Sequence, residues 1–206
     1  MKFTQNFQQR QKFIVIAKVP NRINASNNGF LSNFCFAASF AVLCLVSCAK
    51  PEHVDVLVIG GGASGISAGV QSARMGVSTM VVEDTPWVGG MLTAAGVSCI
   101  DGNYRMQSGI FGEFADSLAA RYGGWEALQT GWVSNINFEP HVGHEILTNI
   151  AASCSDLLEV RRETVMLGVK KQEGLWEVRL KSPNDRKYIV TADVLIDGTE
   201  LGDVAK

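Results

Sequence analysis

The chain has 206 residues, a formal net charge of −2 at pH 7 and 47% apolar residues, enough to bury one sizeable core. Its lysines and arginines are scattered and form no basic stripe, which excludes a nucleic-acid-binding protein. We therefore expect a small-molecule substrate, and no nucleic acid, among its partners.

The first 48 residues predict an exported protein. Residues 1–33 contain no acidic residue, and they precede the apolar run 34–46, which has the length of a signal-peptide core. The run leads into Leu-Val-Ser-Cys at residues 45–48, which resembles a bacterial lipobox. This resemblance implies a signal peptide over residues 1–48, a lipid on the sulfur of Cys48, and an exported bacterial lipoprotein held at the membrane surface, periplasmic or outer-membrane associated. A plain secretory signal with a chance cysteine, or a mis-chosen start codon, is the alternative.

The stretch from Val54 to Asp84 predicts one strand–helix–strand unit. An apolar, β-branched run, Val54–Ile59, leads into three glycines. Small residues with helical spacing follow over Ala63–Met75, and a second apolar run, Thr79–Glu83, ends in an acid. A unit of this kind begins the dinucleotide-binding folds.

The glycines of this unit, Gly60, Gly62 and Gly65, have the spacing G-x-G-x-x-G. The first lets the chain turn off the strand, the second lets the backbone approach a pyrophosphate, and the third lets helix and strand pack closely. The pyrophosphate is expected at the helix N-terminus, beside Ala63 and Ser64. Unpaired N–H groups and the helix dipole favour an anion there.

Two acidic residues close the second strand. Glu83 follows the glycines at about the twenty-residue spacing of an acid that accepts hydrogen bonds from a ribose diol, and its charge disfavours a phosphorylated ribose. Asp84 comes next and is a further candidate. Because the strands, helix, glycines and acid agree, the sequence predicts a dinucleotide site in preference to a merely structural glycine turn.

A glycine pair, Gly89-Gly90, follows the acid within a few residues. The pair resembles that of the FAD-binding oxidoreductases of the glutathione-reductase type, in which it passes beside the sugar and phosphates of the cofactor. Plain NAD-binding Rossmann domains do not usually carry it. The resemblance implies FAD as the cofactor, whereas on local grounds alone a flexible surface loop is the alternative.

Two helices are predicted in the middle of the chain, Ile110–Tyr122 and Pro140–Ala152, and they form a helical insertion over about residues 104–153. The second helix contains the sequence H-x-x-H-E at residues 141–145. This order does not match the zinc-binding pattern H-E-x-x-H, so we expect a solvated helix face and no metal site.

Cys99 and Cys154 are the cysteines that follow the predicted signal peptide and lipobox. We expect both to be buried free thiols, and two cysteines of unknown separation support no disulfide prediction. A redox role for Cys99 beside a flavin is the less favoured alternative.

The last third of the chain is rich in strand patterns. A short strand, Leu157–Arg161, follows the second helix, three alternating segments separated by turn sequences predict an antiparallel meander, and a buried strand ends the series. The three meander segments and the last strand are Val165–Lys171, Leu175–Lys181, Lys187–Thr191 and Val194–Asp197.

The end of the last strand carries a second specific motif. Residues 196–203 read I-D-G-T-E-L-G-D and resemble the I-D-A-T-x-x-G-D segment of FAD-dependent oxidoreductases, with Gly198 in place of the usual alanine. Val165 matches the position whose backbone contacts adenine in such proteins. The resemblance implies an α/β fold over residues 54–206, a Rossmann-like FAD/NAD(P)-binding domain with a parallel sheet, a three-stranded antiparallel meander and the helical insertion.

The same resemblance implies an FAD-dependent oxidoreductase that transfers a hydride between a small organic substrate and FAD. The sequence names no catalytic residue. Proteins of this type normally continue with a substrate domain, so we expect an N-terminal fragment that lacks its C-terminal substrate domain. A catalytically inactive, truncated nucleotide-binding lipoprotein and an NAD-binding dehydrogenase fragment are the alternatives.

Overall fold

The computed structural model describes residues 51–101 and 107–206. The predicted signal peptide, with Cys48 and its lipobox, lies outside the described residues, as does the start of the predicted insertion. Among the described helices, none has both the length and the apolar character needed to cross a bilayer.

The predicted strand–helix–strand unit is present. It consists of β1 (Glu52–Ile59), α1 (Ala63–Arg74) and β2 (Thr79–Val82). The two strands are parallel, with Leu57 opposite Met80, and neither of these side chains is exposed. Burial on both faces explains why the sequence of β2 is apolar throughout, as parallel strands covered on both sides require.

One six-stranded sheet contains this unit and the last third of the chain. Four further strands belong to it, β5 (Leu158–Arg161), β6 (Val165–Gln172), β7 (Leu175–Lys181) and β8 (Lys187–Asp197). The order across the sheet is β5-β2-β1-β8-β7-β6. The first four strands in this order are parallel, and β7 and β6 continue the sheet in antiparallel fashion. The predicted antiparallel meander is thereby confirmed, and the predicted short strand Leu157–Arg161 is present as β5, parallel to β2.

The predicted break between the meander and the final strand is wrong, because β8 is continuous. No glycine or proline interrupts it. Ala192 is fully buried and pairs with Val54 of β1 on one side and with Trp176 of β7 on the other. Since both edges of the strand are hydrogen-bonded at this point, the meander passes directly into the parallel sheet.

Two helices follow β2 at the predicted positions, α2 (Gly109–Tyr122) and α3 (Pro140–Ala152). Between them lie a short 3₁₀ turn and β4 (Ile136–Asn137), which pairs with β3 (Cys99–Ile100) in a small antiparallel sheet. This small sheet was not predicted, because two-residue strands leave no alternating pattern in a sequence.

Side chains on the two faces of β1 belong to two different cores, as the alternation of a strand requires. Val58 packs with the buried faces of α1, α2 and α3. Leu57 and Ile59 pack with residues of the meander, namely Val178, Leu180, Val190 and Ala192. The sheet therefore has the three helices on one side. Cys99 and Cys154 are free thiols, as predicted, but both are half-buried and not buried as we expected.

Candidate functional site

A cavity of about 640 Å³ opens at the carboxyl ends of β1, β2 and β8. Ligands of open α/β sheets bind at this edge of the strands. Six of the predicted site residues line the cavity, namely Gly60, Gly62, Glu83, Asp84, Gly90 and Val165. The other four predicted positions, Ala63, Ser64, Gly65 and Gly89, support the walls from the start of α1 and from the glycine pair.

The first glycine loop is built from close backbone contacts. Gly60 has φ +94°, a conformation that favours glycine, and a Cβ atom there would lie 2.5 Å from the carbonyl oxygen of Gly198. A Cβ atom on Gly65 would overlap the carbonyl oxygen of Gly60. These contacts bring α1 directly against the ends of β1 and β8.

Gly62 differs from its neighbours because it faces open space. A Cβ atom on this residue would meet only the carbonyl oxygen of Gly198, at 3.9 Å. Gly62 is also the residue that precedes α1. No side chain caps the N-terminus of this helix, and its first turn contains no acidic residue. The unpaired N–H groups of Ala63 and Ser64 are therefore available to an anion in the cavity.

Glu83 is 5% exposed, and three hydrogen bonds hold its carboxylate. The N–H of Gly61 donates to Oε2 at 2.6 Å, while the N–H and the hydroxyl of Thr85 donate to Oε1 at 2.9 and 2.6 Å. Burial raises the pKa of Glu83, and the hydrogen bonds from Thr85 and Gly61 act in the opposite direction. Asp84 is exposed at the cavity rim. The contact of Glu83 with a ribose remains a prediction.

Gly61 was not predicted as a site residue, although it places Glu83. A Cβ atom on Gly61 would lie 2.8 Å from Cβ of Glu83 and 3.0 Å from its Oε2 atom. A side chain at this position would therefore push the acid out of the strand end. The sequence does show a glycine at this position, between Gly60 and Gly62, but the G-x-G-x-x-G motif assigns no role to it.

The glycine pair lies against the first glycine loop. The N–H of Gly89 donates to the carbonyl oxygen of Gly61 at 2.8 Å, and Gly62 and Gly89 form an isolated parallel bridge. A Cβ atom on Gly90 would lie 3.0 Å from the Cα atom of Gly62. Gly89 itself is buried, with φ +110°, against Thr93. The pair is thus a packed wall of the cavity and not a free surface loop.

The segment after β8 closes the third side of the cavity. The Asp197 carboxylate accepts hydrogen bonds from the backbone and hydroxyl of Thr199 through Oδ1 and from the N–H groups of Val204 and Ala205 through Oδ2. Burial tends to raise the pKa of Asp197, but the hydrogen bonds from Thr199 and from the backbone outweigh it and lower this pKa. The loop is therefore held by a charged acid.

Several lining residues were missed by the sequence analysis. Thr199, Glu200 and Asp203 belong to the segment that the I-D-A-T-x-x-G-D resemblance identified, so a signal for them existed. Ala94 and Ala95 follow the glycine pair and carried no signal of their own. Val165 begins β6 and is 40% exposed at the cavity, and its contact with adenine stays a prediction.

His144 connects α3 to the loop that carries the glycine pair. The N–H of Val88 donates to its Nδ1 atom at 3.1 Å, and its ring stacks on Trp87 with centroids 5.4 Å apart. The predicted solvated face is right for His141, which is exposed, and wrong for His144, which is half-buried. The difference arises because the loop that follows β2 packs on the turn of α3 that contains His144, through Trp87 and Val88.

The protonation of His144 is expected to weaken the fold. Burial and the charge of Arg162, whose Nη1 atom is 3.3 Å from Nε2, hold the pKa of His144 below its usual value. The unfolded chain therefore takes up a proton first as the pH falls below about 6.5. The contribution of His144 to stability is present above that pH and is lost as the pH falls through the lower pKa of the folded protein.

Urea unfolding at about pH 7.5 and about pH 5.5 measures this effect. His144→Phe keeps a ring against Trp87 but cannot accept the Val88 bond, so we expect it to cost about 1 kcal/mol at the higher pH and to flatten the pH dependence. His141→Phe, on the exposed face of the same helix, is the control. An unchanged pH slope in His144→Phe would show that another group is responsible.

A separate group of ionisable side chains lies at the opposite end of β1. Ligand atoms of His53, Asp55 and Asp193 are within 4.8 Å of one another. The Nε2 atom of His53 is 3.5 Å from a carboxylate oxygen of Asp193, and Asp55 accepts a hydrogen bond from the N–H of Ser78 at 2.8 Å. The expectation that the chain holds no metal stays a prediction.

The cavity fits an extended dinucleotide. Gly62 and Gly90 leave open the space beside the N-terminus of α1 that a pyrophosphate requires, and the carboxylate of Glu83 lies at the end of the neighbouring strand, where a ribose is expected. The fold and the site together define a dinucleotide-binding domain of the Rossmann-like FAD/NAD(P)-binding class.

Comparison with known proteins gives the family. The chain belongs to the FAD dependent oxidoreductase family, because the model of that family matches residues 55–206. This family consists of enzymes and its cofactor is FAD, so the predictions of an oxidoreductase and of FAD are confirmed at this level. NADH:fumarate oxidoreductase of Klebsiella pneumoniae (strain 342) is a relative with 33% identity over 64 residues, which are 30% of this chain and 7% of the relative.

Solved structures share the fold. A flavoprotein/dehydrogenase from Cytophaga hutchinsonii superposes with a TM-score of 0.52 at 19% identity over 73% of this chain and 40% of that one. The anhydrotetracycline hydroxylase OxyS from Streptomyces rimosus gives 0.50 at 18% identity over 70% of this chain and 31% of that one. The predicted α/β fold is thereby confirmed, and the chain spans less than half the length of either protein.

Proposed function

We propose that this chain is the FAD-binding part of an oxidoreductase that transfers a hydride between a small organic substrate and FAD. The observation that carries the proposal is the open position of Gly62 at the N-terminus of α1, with the Gly89-Gly90 pair hydrogen-bonded beside it. Family membership supports FAD over a free nicotinamide cofactor.

The residues of the cavity have separate tasks in this proposal. The first turn of α1 binds the pyrophosphate with its N–H groups, Glu83 accepts a hydrogen bond from the ribose, and the backbone at Val165 contacts the adenine. Gly90 excludes side-chain atoms from the path of the sugar and phosphates. When bound, FAD supplies the redox chemistry, while the protein supplies binding and orientation.

The substrate and its contacts belong to a larger protein in this proposal. The chain spans 7% of its curated relative and 40% or less of the two solved structures compared above. We therefore propose that a C-terminal substrate domain, absent from these 206 residues, covers the flavin and provides the groups that touch the substrate. No acid or base of the described residues is assigned to the reaction.

Reduction of the bound flavin tests the proposed activity. The longer protein of this proposal, with its substrate domain, is loaded with FAD and mixed with candidate organic donors in the absence of oxygen, and loss of the flavin absorbance reports hydride transfer. FAD that binds but is not reduced by any organic donor would favour the catalytically inactive, nucleotide-binding lipoprotein. Tight binding of NAD without FAD would favour the dehydrogenase fragment instead.

We also propose that the protein is an exported bacterial lipoprotein, periplasmic or outer-membrane associated and anchored through Cys48. The support is the lipobox-like sequence at residues 45–48 after an apolar run of signal-peptide length. Only residues 49–51 separate Cys48 from the first strand, so an anchored protein would hold its nucleotide-binding domain close to the membrane surface.

Metabolic labelling with a radioactive fatty acid tests the anchor. In a bacterial host, the 206-residue chain should take up label and fractionate with membranes, and Cys48→Ala should abolish both. Cys44→Ala, which removes the other cysteine near the cleavage site, is the control and should retain the label. Equal labelling of Cys48→Ala and of the unchanged chain would exclude Cys48 as the lipid attachment site.

A further inference from the structure

Thr85 lies directly after the two acids that close β2, and its side chain reaches back to the first of them. We propose that Thr85 is a positioning residue that holds the carboxylate of Glu83 in the orientation that receives the nucleotide ribose. The proposal rests on the proposed function, since it assigns to Thr85 a role in the same FAD site.

The hydrogen bonds around Glu83 leave one place for a ligand. Its Oε1 atom accepts from both the N–H and the hydroxyl of Thr85, and its Oε2 atom accepts from the N–H of Gly61 alone. An ionised carboxylate has about four acceptor positions, so three are filled by the protein and the fourth remains on Oε2. Thr85 therefore fixes one oxygen and directs the free position of the other to the ligand.

The loop that carries Thr85 is itself held from two sides. The hydroxyl of Thr85 lies 2.7 Å from the carbonyl oxygen of Trp87 as well as 2.6 Å from Oε1 of Glu83. The N–H of Thr164 donates to the carbonyl oxygen of Glu83 at 2.9 Å, and the N–H of Glu163 donates to that of Thr85 at 3.2 Å. The backbone is thus fixed by the turn after β5, independently of the side chain of Thr85.

One hydroxyl proton has two acceptors in this arrangement. With Glu83 ionised, the hydroxyl of Thr85 donates to Oε1. With Glu83 protonated, the carboxyl donates to the hydroxyl, which then donates to the carbonyl oxygen of Trp87. Thr85 is therefore the side chain that supplies a hydrogen bond to the ionised form, which is the form that accepts a hydrogen bond from the ribose.

The remaining charged groups near Glu83 come from three regions of the chain. Asp84 is its neighbour in the chain, and its side chain raises the pKa of Glu83. From β5 and the turn after it, Arg161 is paired with Glu52 and Glu159, and Arg162 donates to the carbonyl oxygen of Pro86. Glu163 follows in that turn, and Glu200 and Asp203 reach the cavity from the segment after β8. The first turn of α1 holds no acid.

The loss of the Thr85 hydroxyl therefore has two expected effects on FAD binding. The carboxylate is less well oriented, which weakens binding at every pH. The pKa of Glu83, already raised by burial, rises further, so affinity falls at a higher pH than in the unchanged protein. A residue that only stabilised the loop would not change the pH dependence of affinity.

A double-mutant cycle on the 206-residue chain tests the proposal, with the FAD dissociation constant measured from the quenching of flavin fluorescence across the pH range. Thr85→Val should weaken binding about tenfold at neutral pH and move the pH profile upward, and Thr85→Ser should restore both. In the Glu83→Gln background, Thr85→Val should cause no further loss. Thr85→Ala, without the bulk of valine near Trp87, should behave as Thr85→Val does.

Thr93 gives a matched control in the same region. Its hydroxyl is buried and donates to the carbonyl oxygen of Val88 at 2.7 Å, so Thr93→Val should lower stability and leave the pH profile of FAD binding unchanged. If Thr85→Val weakened FAD binding equally in the unchanged chain and in the Glu83→Gln background, the positioning role of Thr85 would be overturned, but the proposed function would not. A failure of the unchanged chain to bind FAD would overturn the proposed function and the role of Thr85 with it.

Discussion

Gly62→Val is expected to weaken FAD binding by at least about a hundredfold while the domain stays folded. A Cβ atom at this position meets only the carbonyl oxygen of Gly198, at 3.9 Å, and the backbone has φ −61°, which any residue adopts. The fold should therefore lose only about 1 kcal/mol, because valine is a poor residue before a helix. The added methyl groups occupy the space beside α1 that the pyrophosphate requires.

Flavin fluorescence titration and urea unfolding, done on the same preparation, separate the two effects. Gln71→Val adds the same side chain to the exposed side of α1, away from the cavity, and should bind FAD as the unchanged chain does. Retained FAD affinity in Gly62→Val would contradict the placement of the pyrophosphate at this loop.

Gly65→Ala is expected to act on the fold itself and to cost at least about 3 kcal/mol of stability. The single added carbon would overlap the carbonyl oxygen of Gly60, and that contact joins α1 to the end of β1. Backbone atoms cannot rotate away as a side chain would, so the helix must move off the sheet. The core residues Ile66 and Val70, both 1% exposed, would then lose part of their packing.

The free energy of unfolding from urea titrations measures this loss. Ser67→Ala, which replaces a half-exposed side chain on the same turn of α1, should change stability by about 0.5 kcal/mol or less. FAD binding by Gly65→Ala should fall with the folded fraction and should recover in stabilising osmolyte, unlike that of Gly62→Val. Stability equal to that of the unchanged chain would show that α1 is not in contact with the first glycine.

The parts of the fold that the sequence predicted are those that local pattern determines. The apolar run before Gly60 predicts a buried strand, and the small residues after Gly62 predict a helix that packs closely on it. The sequences of α2 and α3 show helical spacing over more than three turns. The glycine motif predicted its contacts because each glycine solves a separate steric problem that recurs in this fold.

The parts that sequence analysis missed depend on residues that meet only in the folded chain. The contact of Gly61 with Glu83 joins residues 22 apart, and the bond from Val88 to His144 joins residues 56 apart. Neither leaves a periodic signal. The continuity of β8 likewise follows from hydrogen bonding to a different strand on each edge at Ala192, which no local pattern reports. Such contacts decide the electrostatics of the site, and therefore the site is less predictable than the fold.

The measurement that tests the central claim most directly is the titration of FAD against the 206-residue chain, with Gly62→Val as the paired control. We predict saturable quenching of flavin fluorescence at one site per chain, with flavin absorbance bands that remain after free cofactor is removed, and neither signal in Gly62→Val. Absence of FAD binding by the unchanged chain, or equal binding by both proteins, would contradict the assignment of this cavity as the FAD site.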